Sequence, residues 1–302
     1  MSSSIATGGI AVITGAASGL GLQASRLAAQ RGMKVVMADV QADALAISQH
    51  EVEGLGAEVL PFRLDVSKAA EVEALAEATL QRFGPPTFVF NNAGVAPGGL
   101  VWETSARDWE WVLGVNVMGA VHGVRVFTPL MLAAAKRDPA WQGHIVNTAS
   151  MAGLVSPPNM GVYNVSKHAV VALSESLYQD LALITDQVHA HVLCPFFVPT
   201  GIHKSERNRP PGAPAAPPTQ SQLIAQAMSE KAVGSGKVTA ADVAAKVFAA
   251  MDEDRFYIYS HPKALGSVQS RMEDLLMQRN PTDPFRERPE VGEALRKQLR
   301  AG

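Results

Sequence analysis

The chain has one cysteine, Cys194, in 302 residues. A single thiol excludes an internal disulfide framework and suits a reducing compartment, so a cytoplasmic setting is expected. Neither charge sign is in excess: 26 Lys and Arg stand against 28 Asp and Glu, a formal net charge of −2. That balance argues against the broad basic surface that binds nucleic acid or an anionic membrane. No apolar run approaches the length of a membrane span. The start, MSSSIATGG, has neither a basic n-region nor an apolar h-region, and the first apolar run, IAVIT, reads as a strand. No signal peptide is expected from it. No His/Cys/Asp cluster has metal-ligand spacing, so no metal is expected.

What is present is a rhythm. Short β-branched runs alternate with longer amphipathic stretches. Strands are expected over residues 10–14, 34–38, 58–63, 87–91, 144–148, 189–193 and 256–260. Helices are expected over 20–31, 42–53, 69–83, 107–136, 162–184 and 240–251. The strand runs lack strict polar alternation, which suits strands buried on both faces of a parallel sheet. Strand–helix alternation throughout implies an α/β fold, a doubly wound sheet with right-handed crossovers. A hydrophobic content of 47% is enough for its core.

Two segments break the rhythm. Residues 200–237 contain the run RNRPPGAPAAPPTQ, with five prolines between positions 210 and 218. Such chain favours extended conformations, and it reads either as a lid over a cleft or as a surface insertion. After residue 260 comes a helical pattern over 265–277, then the charged stretch PFRERPEVGEALRKQLR. Its mixed signs suit a solvated face or a subunit contact.

Directly after the first strand run stands Thr14-Gly15-Ala16-Ala17-Ser18-Gly19-Leu20-Gly21, opening a helix. Glycines there let a backbone approach a pyrophosphate, and the helix N-terminus offers free N–H groups and a positive dipole end. Asp39 ends the second strand in VVMADV. A carboxylate there can accept from ribose hydroxyls and would repel a 2′-phosphate. No arginine follows it or stands in the glycine loop, so NAD is favoured over NADP. The plainer reading of Asp39 is a strand-end or N-cap residue. Asp65, in FRLDVS, is a candidate for the adenine amino group or, equally, a helix N-cap.

The stretch 147–167 reads NTASMAGLVSPPNMGVYNVSK. On a helix, Tyr163 and Lys167 lie one turn apart on one face. A phenol with a reference pKa of about 10 is a poor proton shuttle at neutral pH, and a fixed cation nearby would draw that value down.

With TGAASGLG at 14–21, Asp39, Asp65, NNAG at 91–94, Asn116 in VLGVNVMG, Ser150 in IVNTAS, YNVSK at 163–167 and a stretch at 195–200, in that order, the chain resembles the short-chain dehydrogenase/reductase family. The match is close from residue 10 to about 200 and looser beyond, with extra C-terminal length. The resemblance implies a Rossmann-type sheet of order 3-2-1-4-5-6-7 and a homodimer or homotetramer. A catalytic domain is expected over 1–260, with the lid at 200–237 and a C-terminal helical extension over 261–302.

The resemblance also implies roles. Tyr163 would be the general acid/base, Lys167 would hold the nicotinamide ribose and lower the tyrosine pKa, Ser150 would bind the substrate oxygen, and Asn116 would position a water in a proton relay. NAD would lie along Gly15, Ser18, Gly19, Leu20, Gly21, Asp39, Asp65, Val66, Asn92, Ala93, Gly94, Tyr163, Lys167, Pro195, Val198 and Thr200. One of the asparagines at 91–92 would stitch neighbouring strands.

One departure stands out. Where the family has Pro-Gly, this chain has Pro195-Phe196-Phe197-Val198-Pro199-Thr200. The extra aromatics either line the pocket or, for Phe196, turn into the core. Pocket candidates are Val95, Ala96, Pro97, Gly98, Met151, Leu154, Pro157, Met160, Phe196, Phe197 and Ile202. They are apolar, so the expected partner is a small-molecule hydrophobic alcohol or ketone, with bulky aryl secondary alcohols as the family analogy. His203 and Glu206 could touch substrate or sit in a solvated loop. His122, His168, Trp109 and Trp111 read as packing or surface residues, and Cys194 as a buried structural thiol. Other classes stay open: a dinucleotide-sensing protein with little turnover, an NADP-preferring ketoreductase, and epimerase or dehydratase chemistry on sugar nucleotides.

Overall fold

The computed structural model describes residues 8–210 and 217–300. Residues 1–7, where no leader was read, and 211–216, the centre of the Pro-rich run, lie outside the described residues, as do 301–302.

Seven parallel strands form one sheet in the order β3-β2-β1-β4-β5-β6-β7. They are β1 Ile10–Thr14, β2 Lys34–Asp39, β3 Val59–Arg63, β4 Phe88–Asn91, β5 Gly143–Thr148, β6 Val188–Cys194 and β7 Tyr257–Tyr259. The order reverses between β1 and β4, which opens a crevice at the carboxyl ends of those strands. Every residue of β1 and β4 is buried, because helices cover both faces. Ala11, Ile13, Phe88 and Phe90 face one layer, with α1 (Gly19–Gln30), α2 (Ala42–Glu53) and α8 (Ala240–Asp252). Val12, Val36, Val89 and Ile145 face the other, with α3 (Ala69–Arg82), α5 (Gly119–Ala135) and α6 (Gly161–Ala182). Period-2 side chains on strands with two apolar faces explain why the sequence shows runs rather than alternation.

Two elements differ from the sequence expectation, while the tail meets its expected helix over 265–277 and adds a second one. The helix expected over 107–136 is α4 (Ala106–Leu113), a π-helical turn over Gly114–Met118, and α5. Taken together, 106–135 is long and apolar enough to span a bilayer, contrary to the reading that no run approaches that length. Its Ala120, Phe127, Met131 and Ala135 are buried instead against the sheet and its neighbours. Within the expected lid, a 3-10 turn covers Gly201–Asn208 and a regular helix, α7, covers Gln220–Gly234. Thr219 and Gln222 form its capping box, a start signal that stands openly in the sequence after the prolines. The tail forms α9 (Gly266–Leu276) and α10 (Pro289–Arg300). The Gln220 side-chain amide donates to the Gln298 carbonyl at 2.9 Å, tying α7 to α10.

Candidate active site

The glycine turn folds as a cradle because its backbone needs glycine. Gly15 and Gly19 have φ of +66° and +55°. A Cβ on Gly21 would stand 2.1 Å from the Gly15 carbonyl oxygen. Gly21 is buried behind the cradle and does not face the cleft, so its place in the site is to let α1 pack close, not to touch a ligand. The first turn of α1 has no acidic residue and no side-chain cap, which leaves its N–H groups for an anion.

Asp39 holds this loop in shape: one carboxylate oxygen accepts from the Ala17 N–H (3.0 Å) and the other from the Gln41 N–H (2.9 Å). Each oxygen keeps a further lone pair, and Asp39 lines the cleft. Asp65 accepts from the Ser67 N–H (3.0 Å) and hydroxyl (2.7 Å) while lining the same cleft with Val66. It caps its own turn rather than α3, whose N-cap is Lys68.

Sequence reasoning passed over Thr14. Its hydroxyl accepts from the N–H groups of Asn92 (2.9 Å) and Ala93 (3.1 Å), sewing the loop after β4 to the cradle. The Asn92 side chain donates to the Thr14 carbonyl at 3.0 Å. Asn91 is the stitching asparagine: it donates to Asn147 (2.8 Å), which donates to Ser174 (3.0 Å), so β4, β5 and α6 are joined through buried amides.

Across the cleft, α6 carries Tyr163 and Lys167, both buried. Lys167 Nζ donates to the Thr148 carbonyl at 2.8 Å and lies 5.7 Å from the centre of the Tyr163 ring. Two of its three N–H groups remain for a ligand. Burial lowers its pKa to about 8. The sequence reading had Lys167 drawing the Tyr163 pKa down. Burial raises that pKa instead, opposed by the hydrogen bond with Ser150. The reason is that the phenol sits in a dry wall, where its charged form loses hydration. Ser150 also accepts from the Ala152 N–H (3.1 Å), which fixes its hydroxyl at the head of the loop.

Asn116 stands beside the loop after β4, its Oδ1 3.4 Å from where a Cβ on Gly94 would stand. It lies in the π-helical turn, 2% exposed, and does not line the cleft. Its Oδ1 accepts from the Val95 N–H (2.8 Å); its Nδ2 donates to the Val95 carbonyl (2.9 Å) and the Ser166 hydroxyl (3.0 Å). A side chain so committed holds the loop after β4 against α6, and it has no free donor for a water. A π turn is a frequent mark of functional sites and had no signal in the hydrophobic pattern.

Pro195, Val198 and Thr200 follow β6 into the cleft, with Thr200 3.3 Å from where a Cβ on Gly19 would stand. Ser18, Leu20 and Gly94 line it as well. Phe196 and Phe197 are 43% and 38% exposed and tilt against each other at 4.5 Å, so Phe196 does not enter the core. Met151, Met160, Ile202 and both phenylalanines line the same cleft as Tyr163. His203 and Glu206 line it too; His203 has a buried Nδ1 that lacks a partner, and Glu206 pairs with Arg209. Arg209 also pairs with Asp108 and stacks over Trp111 at 4.4 Å, which gives that tryptophan a job beyond packing. Cys194 is buried, its thiol pushed up to about 12 by desolvation.

A doubly wound sheet with a glycine cradle at its switch point and a wall of half-buried Ser150 with buried Tyr163 and Lys167 opposite belongs to the dinucleotide-binding Rossmann class. Residues 9–211 match the short chain dehydrogenase family model. The chain is 36% identical over 270 residues to a CLA biosynthesis dehydrogenase/reductase of Lactiplantibacillus plantarum, covering 87% of this chain and 92% of that protein. It is 35% identical over 267 residues to a 1-deoxy-11-beta-hydroxypentalenate dehydrogenase of Streptomyces avermitilis, covering 88% and 89%. A crystal structure of a short chain dehydrogenase/reductase from Burkholderia phymatum, in complex with NAD, superposes with a TM-score of 0.89 at 54% identity, covering 92% of this chain and 97% of that one. This chain is a member of the short-chain dehydrogenase/reductase family.

Proposed function

We propose that the chain is an NAD-dependent oxidoreductase that interconverts a secondary alcohol and its ketone, with a bulky hydrophobic or aryl substrate. The observation that carries this reading is the convergence of Ser150, Tyr163 and Lys167 on one cleft beside the glycine cradle. The cleft residues fit a dinucleotide: a cradle that a Cβ would close, free N–H groups at α1, and a buried ammonium with donors to spare. When bound, the nicotinamide supplies the hydride acceptor or donor.

The chain's own residues supply the rest. Asp39 accepts from the adenosine ribose hydroxyls, and Lys167 donates to the nicotinamide ribose. The Ser150 hydroxyl hydrogen-bonds the substrate oxygen and holds the reacting carbon toward the nicotinamide. The Tyr163 hydroxyl oxygen takes the proton from the substrate hydroxyl in oxidation and returns it in reduction. Donors placed around that oxygen favour its alkoxide-like character in the transition state. Asn116 acts as a positioning residue for the loop after β4. Phe196, Phe197, Met151, Met160 and Ile202 give the substrate end its apolar character, and the α7 segment serves as its lid. A reducing, cytoplasmic setting and a homodimer or homotetramer complete the reading.

Tyr163→Phe tests it. The variant should lose nearly all turnover of an aryl secondary alcohol with NAD, while binding NADH as tightly as wild type by fluorescence titration. Retained turnover would sink the proton role given to Tyr163.

A further inference from the structure

Helix α7 is seated on the cleft by contacts that proton and hydride transfer do not require. It rests on the loop at 98–100, where only glycine leaves room: a Cβ on Gly98 would stand 2.4 Å from Ala225 Cβ, and one on Gly99 (φ +135°) 2.9 Å from Gln222 Cγ. Ser221, 2% exposed in the first turn of α7, binds the same loop from above. Its hydroxyl accepts from the Leu100 N–H (3.0 Å) and donates to Glu103 (2.7 Å).

From the other side comes Asn159, in the loop between Ser150 and Tyr163. Its backbone is left-handed, with φ of 63°. Its carbonyl accepts from the Gly99 N–H (2.9 Å), and its Nδ2 donates to the Ser221 carbonyl (3.0 Å). A short-side-chain amide tolerates this φ better than most residues and can bond locally while there. Three separate segments that line the cleft thus meet at one point.

We propose that Asn159 and Ser221 are positioning residues of a latch that holds α7 over the substrate end of the cleft, and that this latch governs the entry and retention of bulky substrates. The inference rests on the dehydrogenase reading of the cleft. Asn159 Oδ1 is buried without a protein partner, so release of the latch would let it hydrate. Lid opening in such a site gates binding and release rather than chemistry.

The test uses the full chain and two variants, Ser221→Ala and Asn159→Gly, the second keeping a residue at home with positive φ. Hydrogen–deuterium exchange is followed at the Gly99 and Leu100 amides. In both variants exchange there should accelerate about two- to tenfold, the weight of one buried hydrogen bond, while β1 and β4 amides stay as protected as in wild type. KM for a bulky aryl alcohol should rise several-fold, with the single-turnover rate of NADH formation at saturating substrate unchanged. Unchanged exchange at 99–100 in both variants would overturn the latch and leave the dehydrogenase reading standing. A fall in the single-turnover rate with KM constant would overturn its role in substrate entry. Accelerated exchange in a chain that turns over no alcohol would instead sink the dehydrogenase reading and the substrate role with it.

Discussion

Acidification should destabilise this fold through a histidine chain remote from the cleft. His144 on β5 and His191 on β6 are buried and stacked at 5.3 Å. His191 Nδ1 faces the Arg255 carbonyl at 3.0 Å. A carbonyl only accepts, so Nδ1 carries the hydrogen and Nε2 is an acceptor. His144 Nδ1, 3.0 Å from that Nε2, must then be the donor. The His144 Nε2 left over is buried without a partner. A proton added to either ring has no acceptor: on His191 it would face another N–H, and on His144 it would sit on a buried nitrogen without a partner.

Burial accordingly drives the pKa of His191 down to about 4 and that of His144 down to about 2. The unfolded chain takes up these protons near pH 6.5 and the folded chain does not, so stability rises with pH and is lost as pH falls below 6.5. At pH 5.0 each histidine costs about 2 kcal/mol relative to pH 7.5, and the pair about 4 kcal/mol. Urea denaturation at the two pH values measures the loss. His144→Leu should be less stable at pH 7.5, because His191 Nε2 loses its donor, yet its loss on going to pH 5.0 should be about 2 kcal/mol smaller than that of wild type. Carboxylates elsewhere titrate equally in both proteins. Equal pH losses in the two would refute the assignment of neutral, locked tautomers.

Three further outcomes follow from the cleft. Asp39→Ala should raise KM for NAD roughly 10- to 100-fold, the weight of hydrogen bonds to a charged group, and narrow the gap to NADP; a wild-type preference for NADP in steady-state kinetics would refute the role given to Asp39. Gly21→Ala forces a Cβ against the Gly15 carbonyl, which should cost about 1–3 kcal/mol of stability and shrink the rise in Tm that NAD produces; an undiminished rise would show that the cradle tolerates the methyl. Because burial raises the Tyr163 pKa, the phenolate needed to accept a proton gains population as pH rises, so alcohol oxidation should climb through the alkaline range while ketone reduction, which needs the phenol, declines there; opposite slopes in initial-rate profiles would contradict this.

Much of the molecule was legible in its sequence because the information is local. Apolar runs such as IAVIT mark strands buried on both sides, and all seven expected strands agree with β1–β7 to within a residue at either end. The glycine turn, Asp39 and the Tyr163–Lys167 pair could be found because each needs a residue type at a fixed spacing. What failed to show was of two kinds. The π turn at Gly114–Met118 inserts a residue's worth of phase into a helix whose apolar pattern on either side continues, so periodicity passes over it. The α7 helix did have a start signal, Thr219 to Gln222, but the prolines before it drew the whole segment toward irregular chain.

The sequence by itself determined the sheet, the cradle and the identity of the residues that face each other across the cleft, because secondary structure and motif spacing depend on neighbours along the chain. Tertiary structure decided what those residues can do. Only packing turns Lys167 to Thr148, and only packing buries the Tyr163 phenol, whose pKa therefore moves up and not down. Only packing consumes the amide of Asn116 in Val95 and Ser166 and removes it from the cleft. And only packing brings Gly98, Asn159 and Ser221 together, since burial and hydrogen bonding between distant segments leave no trace in either segment alone.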